Sequence, residues 1–331
     1  MVQQVLIGDR LHAIDLGGMR RMLQSWTFGF WGARKWTESE FKDISDHLES
    51  IALPSEIHRK LRRLDDLKYW KGTEYSSFLH YAGFVVLKGK ISDEQYDHFM
   101  LYFCAVTLFS SNAYKCHWNV AGQMMEQFVI DYAKIYGEGY VSSNIHNLLH
   151  VHEELVQFGS LYTIAAYPFE NALQHMKHLV RSGWKNLEQV RNRLSELELF
   201  NAPDEIENFV CYISGHSDNV TLHMKDYKLQ NNFRNSWFLS TEYEVIKYCS
   251  AARVSSSVKV TGQKLLEREE CFVYPYSSAN MFICQGNINN LDATTTEFDT
   301  CSIFCKLVAL PIALNGETKF VPLIHTIKSE D

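Results

Sequence analysis

The stretch Asn201-Ala-Pro-Asp204 separates two hydrophobic periods in this 331-residue chain. Before it, apolar residues recur at helical spacing, as in Leu11, Ile14, Met19, Met22, Leu23 and Trp26. Thr37-Glu-Ser-Glu40 is a capping box, in which hydroxyl and carboxylate each satisfy the other residue's backbone N–H, and it predicts a helix to about Ser50. Ser92-Asp-Glu-Gln95 repeats the device ahead of an apolar helix ending near Ser110. Further helices are predicted over 118–136, 143–157, 169–181 and 184–199, with Pro168 where a helix start tolerates a missing N–H. After it come short β-branched and aromatic runs: Phe209–Ile213, Trp237–Leu239, Val245–Cys249, Phe272–Tyr276, Met281–Cys284, Ser302–Ala309, and Lys319–Ile324 beyond the turn Asn315-Gly316. Val5–Gly8 reads as a short buried strand ending at Asp9. The expectation is an α+β chain, with a mostly helical region over 1–200 and a β-rich domain over 205–331.

With 46% hydrophobic and 13% aromatic residues the chain can bury a sizeable core, unlike a disordered or collagenous sequence. No apolar run reaches the roughly 18–20 residues of a membrane helix, and the first residues lack the pattern of a secretory signal. The expected setting is intracellular, with no membrane partner. The eight cysteines form no Cys-x-x-Cys pair, which argues against a zinc ribbon and for core thiols. Cys301 and Cys305 are expected on one face of a strand. A net charge of −7 opposes DNA binding through the overall field and leaves room for a local basic patch.

Four segments carry candidate chemistry. In Asp9-Arg-Leu-His12, an acid and a histidine meet where strand gives way to helix; taken alone, capping by Asp9 and an ordinary partly buried His12 is the plainer reading. Between Arg59 and Lys71 stand Arg59, Lys60, Arg62, Arg63, Lys68 and Lys71 against two aspartates, with Tyr69 and Trp70 among them. Such interleaving can track a nucleic-acid backbone, or simply solvate a surface. His146 and His150 share a helix face and form a weak metal candidate, because no third ligand is fixed by spacing. Glu170, in Tyr167-Pro-Phe-Glu170, falls in the first turn of a predicted helix, where a carboxylate is favoured by the helix dipole.

Taken in order, these segments resemble the C-terminal part of a CACTA (En/Spm-like) DNA transposase. The resemblance lies in Leu11-His-Ala-Ile-Asp-Leu-Gly-Gly-Met-Arg-Arg, Leu53-Pro-Ser, Trp70-Lys-Gly-Thr-Glu-Tyr75, Val85-Val-Leu-Lys88, Tyr167-Pro-Phe-Glu170 and Val321-Pro-Leu-Ile-His-Thr326. It implies an RNase H-like nuclease fold with a helical insertion. In that chemistry three carboxylates hold two Mg²⁺ or Mn²⁺ ions for in-line displacement at phosphorus. The resemblance implies that Asp9 and His12 form the family's Asp-x-x-His motif and that Glu170 is its last acid. It also places two catalytic aspartates upstream of Asp9, and the chain begins eight residues before that position. The expectation is a transposase-derived protein, catalytically incomplete by itself, that binds DNA or a transposase partner, with the nucleus implied by the resemblance. Two alternatives stand beside it. One is half of a split nuclease completed by another chain; the other is a helical interaction module without DNA binding. An incomplete catalytic sheet further predicts exposed apolar surface near Val5–Ile7 and Tyr167–Phe169, and hence self-association.

Overall fold

The computed structural model describes residues 8–200, 211–215, 220–254, 257–312 and 315–328. The chain is α+β, helical in its first part and antiparallel β thereafter. The expected strand at Val5–Ile7 lies outside the described residues; Gly8 is buried, and its N–H donates to Glu154 Oε2 at 2.8 Å.

The predicted helices are found close to their expected bounds. Arg10–Met19 winds in wide i→i+5 turns and runs directly into Arg20–Phe28. Gly18 permits this packing, because a Cβ there would run into the Tyr102 hydroxyl, which donates to Ile14 O at 2.9 Å. Glu38–Ser50 opens on the expected box: Thr37 Oγ1 accepts from Glu40 N, and Glu40 Oε2 accepts from Thr37 N. The helix Asp93–Phe109 is buried all round from His98 onward, which makes it the central rod of the helical layer. It packs against Trp118–Tyr136, and His98 lies stacked on Phe128 with ring centroids 4.2 Å apart.

Among the described residues eleven strands follow: β1 Tyr212–Ser214, β2 Thr221–His223, β3 Lys228–Gln230, β4 Trp237–Ser240, β5 Val245–Val254, β6 Ser257–Lys264, β7 Glu269–Glu270, β8 Cys284–Asn287, β9 Thr296–Asp299, β10 Ile303–Pro311 and β11 Glu317–Pro322. The first three form a small sheet; the others form a larger one in the order β7-β8-β11-β10-β4-β5-β6-β9. Alternation along β4 assigns its two faces. Trp237 and Leu239 join the core of the helical layer, together with Leu307 and Phe320, whereas Phe238 packs with Leu222, Leu229 and Ile246 beneath the small sheet. The large sheet is thus the middle layer, with helices on one side and β1–β3 on the other.

Polar contacts tie the layers together. Lys306 Nζ, fully buried, donates to both Glu56 oxygens (2.9 and 2.8 Å), Lys228 O (2.7 Å) and Asn235 Oδ1 (2.8 Å). Burial lowers the Lys306 pKa to about 8. Glu56 is held below the ordinary carboxylate range, because the Lys306 ammonium and the Lys228 N–H outweigh its own desolvation. Arg234 Nε donates to Leu53 O at 2.6 Å, and the buried Tyr114 hydroxyl to Met281 O at 2.9 Å.

Several expectations need correction. Phe272–Tyr276 is not a strand. Pro275 removes a ladder donor, and the aromatic rings are used as plugs instead: Phe272 packs edge-on against Phe84 and Phe103, while the Tyr276 hydroxyl meets His117 Nδ1 at 2.8 Å. Cys301 and Cys305 do not share a strand face. Cys301 is exposed in the turn Thr300–Ser302, and Cys305 is buried in β10; all eight thiols are free. A helical run over Gly72–Ser77, Phe78–Ala82 and Gly83–Val86 was not read from the sequence.

Candidate functional site: a cleft beside Asp9, His12 and Glu170

Asp9, His12 and Glu170 are brought together across 161 residues of sequence. Asp9 caps the helix that starts at Arg10. Its Oδ1 accepts from Leu11 N (2.9 Å) and from Ala166 N (3.1 Å); its Oδ2 accepts from His12 N (3.2 Å) and from His12 Nδ1 (2.8 Å). A carboxylate offers about four acceptor positions, so Asp9 is fully engaged in building the site. Since a carboxylate only accepts, His12 Nδ1 is the donor to Asp9, and its Nε2 stands 3.8 Å from Glu170 Oε1. His12 and Glu170 are both more than half exposed, at 57% and 54%. The Ala166 bond fixes the entry to the helix Tyr167–Leu179, which has proline in its first turn and delivers Glu170.

Behind this row lies a second acid. Asp15, fully buried, accepts from the Tyr167 hydroxyl at 2.8 Å and has Arg10 Nε at 3.7 Å. Burial raises its pKa to about 6 despite Arg10. Arg10 also donates to Ser76 Oγ at 2.7 Å. Buried His80 is held neutral, its pKa pushed well below 6.5 by burial and by Arg10.

Arg10, Ser76, His80 and Tyr167 line a cleft of about 470 Å³ together with Glu56, His58, Arg59, Thr73, Tyr81, Tyr162, Asn171 and His325. Of these, Arg10, Arg59, Thr73, Tyr167 and His325 come from the stretches that carry candidate chemistry or the resemblance, and Glu56, His58, Ser76, His80, Tyr81 and Asn171 lie close beside those stretches in sequence. Val85–Lys88 does not contribute.

The basic segment is divided. Arg62 makes a two-pronged ion pair with Glu74 and also donates to Tyr69 O; Arg63 is paired with Asp46, Glu49 and Asp65. Both of these guanidinium groups from the expected DNA-binding set are thus engaged by carboxylates in this structure. Arg59, Lys60, Lys68 and Lys71 are exposed, with Lys68 over the Tyr69 ring at 4.7 Å. His146 and His150 are exposed neighbours with ring centroids 5.9 Å apart. Among the described residues no group of three or more His, Cys, Asp or Glu is arranged to hold a metal ion. No helix among them is long and apolar enough to cross a membrane.

Sequence reasoning singled out the rim of the cleft and missed its floor. Arg10 stands inside Asp9-Arg-Leu-His12, and an arginine flanked by two motif residues is the signal that marks it; His80 carries no such signal. A family model for a domain of unknown function, DUF8592, matches residues 207–324. Comparison with curated proteins and with solved structures finds no significant match.

Proposed function

We propose that this chain is a transposase-derived protein of the CACTA type that binds nucleic acid along the cleft and its basic margin, and does not cut it alone. The observation that carries this reading is convergence: segments spread from Arg10 to His325 meet on one cleft, with Asp9, His12 and Glu170 at its side. The cleft supplies Arg10 and Arg59 as cations, and its one carboxylate, Glu56, is neutralised by Lys306. Arg59, Lys60, Lys68 and Lys71 are exposed and make no ion pair among the described residues, which suits them to phosphate. Asp9 spends its acceptor positions on N–H groups, which suits an architectural role better than metal binding. Two divalent ions, if held at all, would need carboxylates beyond Glu170.

The test is binding of the full chain to short duplexes at several salt concentrations. Each phosphate contact adds roughly 0.9 to the log–log salt slope. Changing Arg59, Lys60, Lys68 and Lys71 to Ala should flatten the slope by up to about 3–4, whereas a charge-matched set of substitutions elsewhere leaves it unaltered. An unchanged slope removes the DNA-binding reading. Mg²⁺-dependent cleavage abolished by Glu170→Gln would instead favour the split nuclease.

A protein-interaction role draws on a separate observation. The helix Tyr167–Leu179 buries none of its residues, and Phe169, Trp184 and Leu187 are 73%, 75% and 84% exposed. Apolar side chains this open mark an association surface. Light scattering of the full chain against a Phe169→Ser, Trp184→Ser, Leu187→Ser variant tests it; identical masses at all concentrations count against self-association.

A further inference from the structure

We propose that the cleft is a nucleotide pocket, taking one planar heterocycle together with its phosphate, either free or at the end of a strand. This rests on the reading that the cleft handles nucleic acid and names the part recognised.

The first argument is a concentration of unsatisfied polar atoms. Among the described residues, both ring nitrogens of His80, Arg10 Nε and Asp15 Oδ1 are buried without hydrogen-bond partners. Leaving such an atom unpaired is costly, so buried polar atoms are normally matched. Here they gather at one floor, and His80 and Arg10 line the cleft itself. A neutral imidazole offers one donor and one acceptor, and Arg10 adds a donor beside them. That set matches the mixed donor and acceptor edge of a nucleobase better than it matches a simple anion, which would use donors only.

The second argument is shape and charge. A cleft of about 470 Å³ lies in the size range of small-ligand sites. Tyr162, 61% exposed, presents a ring at its wall, and the Tyr81 and Tyr167 rings line it further. Bases of any identity stack on such rings. His58 and Arg59, both exposed, lie along the lining to meet a phosphate. His325 is committed through Nε2 to Asp226 O at 3.3 Å, and Glu56 to Lys306, so neither opposes an anion as a free carboxylate would.

The experiment is calorimetric titration of the full chain with the four 5′-mononucleotides, with adenosine, and with inorganic phosphate. A mononucleotide should bind at least about tenfold tighter than either fragment. Tyr162→Ala, exposed and outside the core, should weaken binding roughly 5- to 100-fold, the range of one base stack. His80→Phe should weaken it as well, with folding checked by circular dichroism; if that variant does not fold, Tyr162→Ala decides alone. Competition between a mononucleotide and a 5′-phosphorylated single strand assigns the ligand to a strand end, and its absence assigns it to the free nucleotide. Phosphate binding as tightly as the nucleotide, no binding at millimolar concentration, or full affinity in Tyr162→Ala overturns the proposal. Loss of duplex binding on changing Lys60, Lys68 and Lys71 leaves mononucleotide binding intact, so the two readings fail separately.

Discussion

Replacing Asp15 by Asn should stabilise the protein at neutral pH, an unusual outcome for a fully buried polar residue. An ordinary aspartate releases its proton at 3.8, whereas Asp15 holds it to about 6, because burial disfavours the charge more than Arg10 and Tyr167 favour it. At 1.36 kcal/mol per pH unit, the ionised form is disfavoured in the folded chain by about 3 kcal/mol. The sign follows from proton counting. Between 3.8 and about 6 the folded state binds more protons than the unfolded state, so stability falls as pH rises through that window and then levels off. Asn keeps an oxygen for the Tyr167 hydroxyl and has no charge to bury. The variant should therefore match the parent near pH 3.5 and exceed it by about 2–3 kcal/mol at pH 8. Urea melts of both proteins at pH 3.5, 5, 6.5 and 8 measure the difference directly. If Asp15→Asn is less stable than the parent at pH 8, the Arg10–Asp15 attraction outweighs desolvation and the reasoning fails.

Lys306→Met should cost about 3–5 kcal/mol by stranding Glu56, and adding Glu56→Leu should recover most of that, as chemical denaturation will read. Acid should loosen the same contact only below about 4.5, the ordinary value beneath which the Glu56 carboxyl is held, and a parent melt series through pH 3–5 will locate the loss. Thr37→Ala should cost about 1 kcal/mol through loss of the cap, visible as a lowered denaturation midpoint with unchanged slope. Gly18→Ala should push Tyr102 off Ile14 O and cost about 1–3 kcal/mol, whereas the exposed Gly139→Ala should change little.

The α+β division was legible because hydrophobic period is a local property. Thr37 and Glu40 announce their helix within four residues, and so do Ser92 and Gln95. The short strands Thr221–His223 and Lys228–Gln230 were not legible: three residues hold too little pattern, and their burial depends on Phe238 and Ile246 arriving from elsewhere. The run at Phe272–Tyr276 misled because ring-rich sequence suits a strand and a loop that plugs a core alike. At the site, no spacing announces that Glu170 stands near His12, and the Ala166–Asp9 bond is the physical means that brings it there. Spacing could not separate Arg62 from Arg59, because the difference is made by Glu74, which reaches Arg62 only once the helix from Gly72 has formed.

The seam between family and fold falls in different places. The DUF8592 match starts at residue 207, close to where helix gives way to strand, and invites excision of 207–324 as a free-standing piece. Such a piece would carry Trp237, Leu239, Leu307 and Phe320, which in the whole chain share one buried core with Tyr81, Phe84 and Tyr114. It would also carry Lys306 without Glu56. The family match has a border there that cohesion does not respect. A relative bearing this sheet in another protein must bring its own cover for the same face, and comparing those covers would show which helices are inherited with the sheet and which were recruited to it.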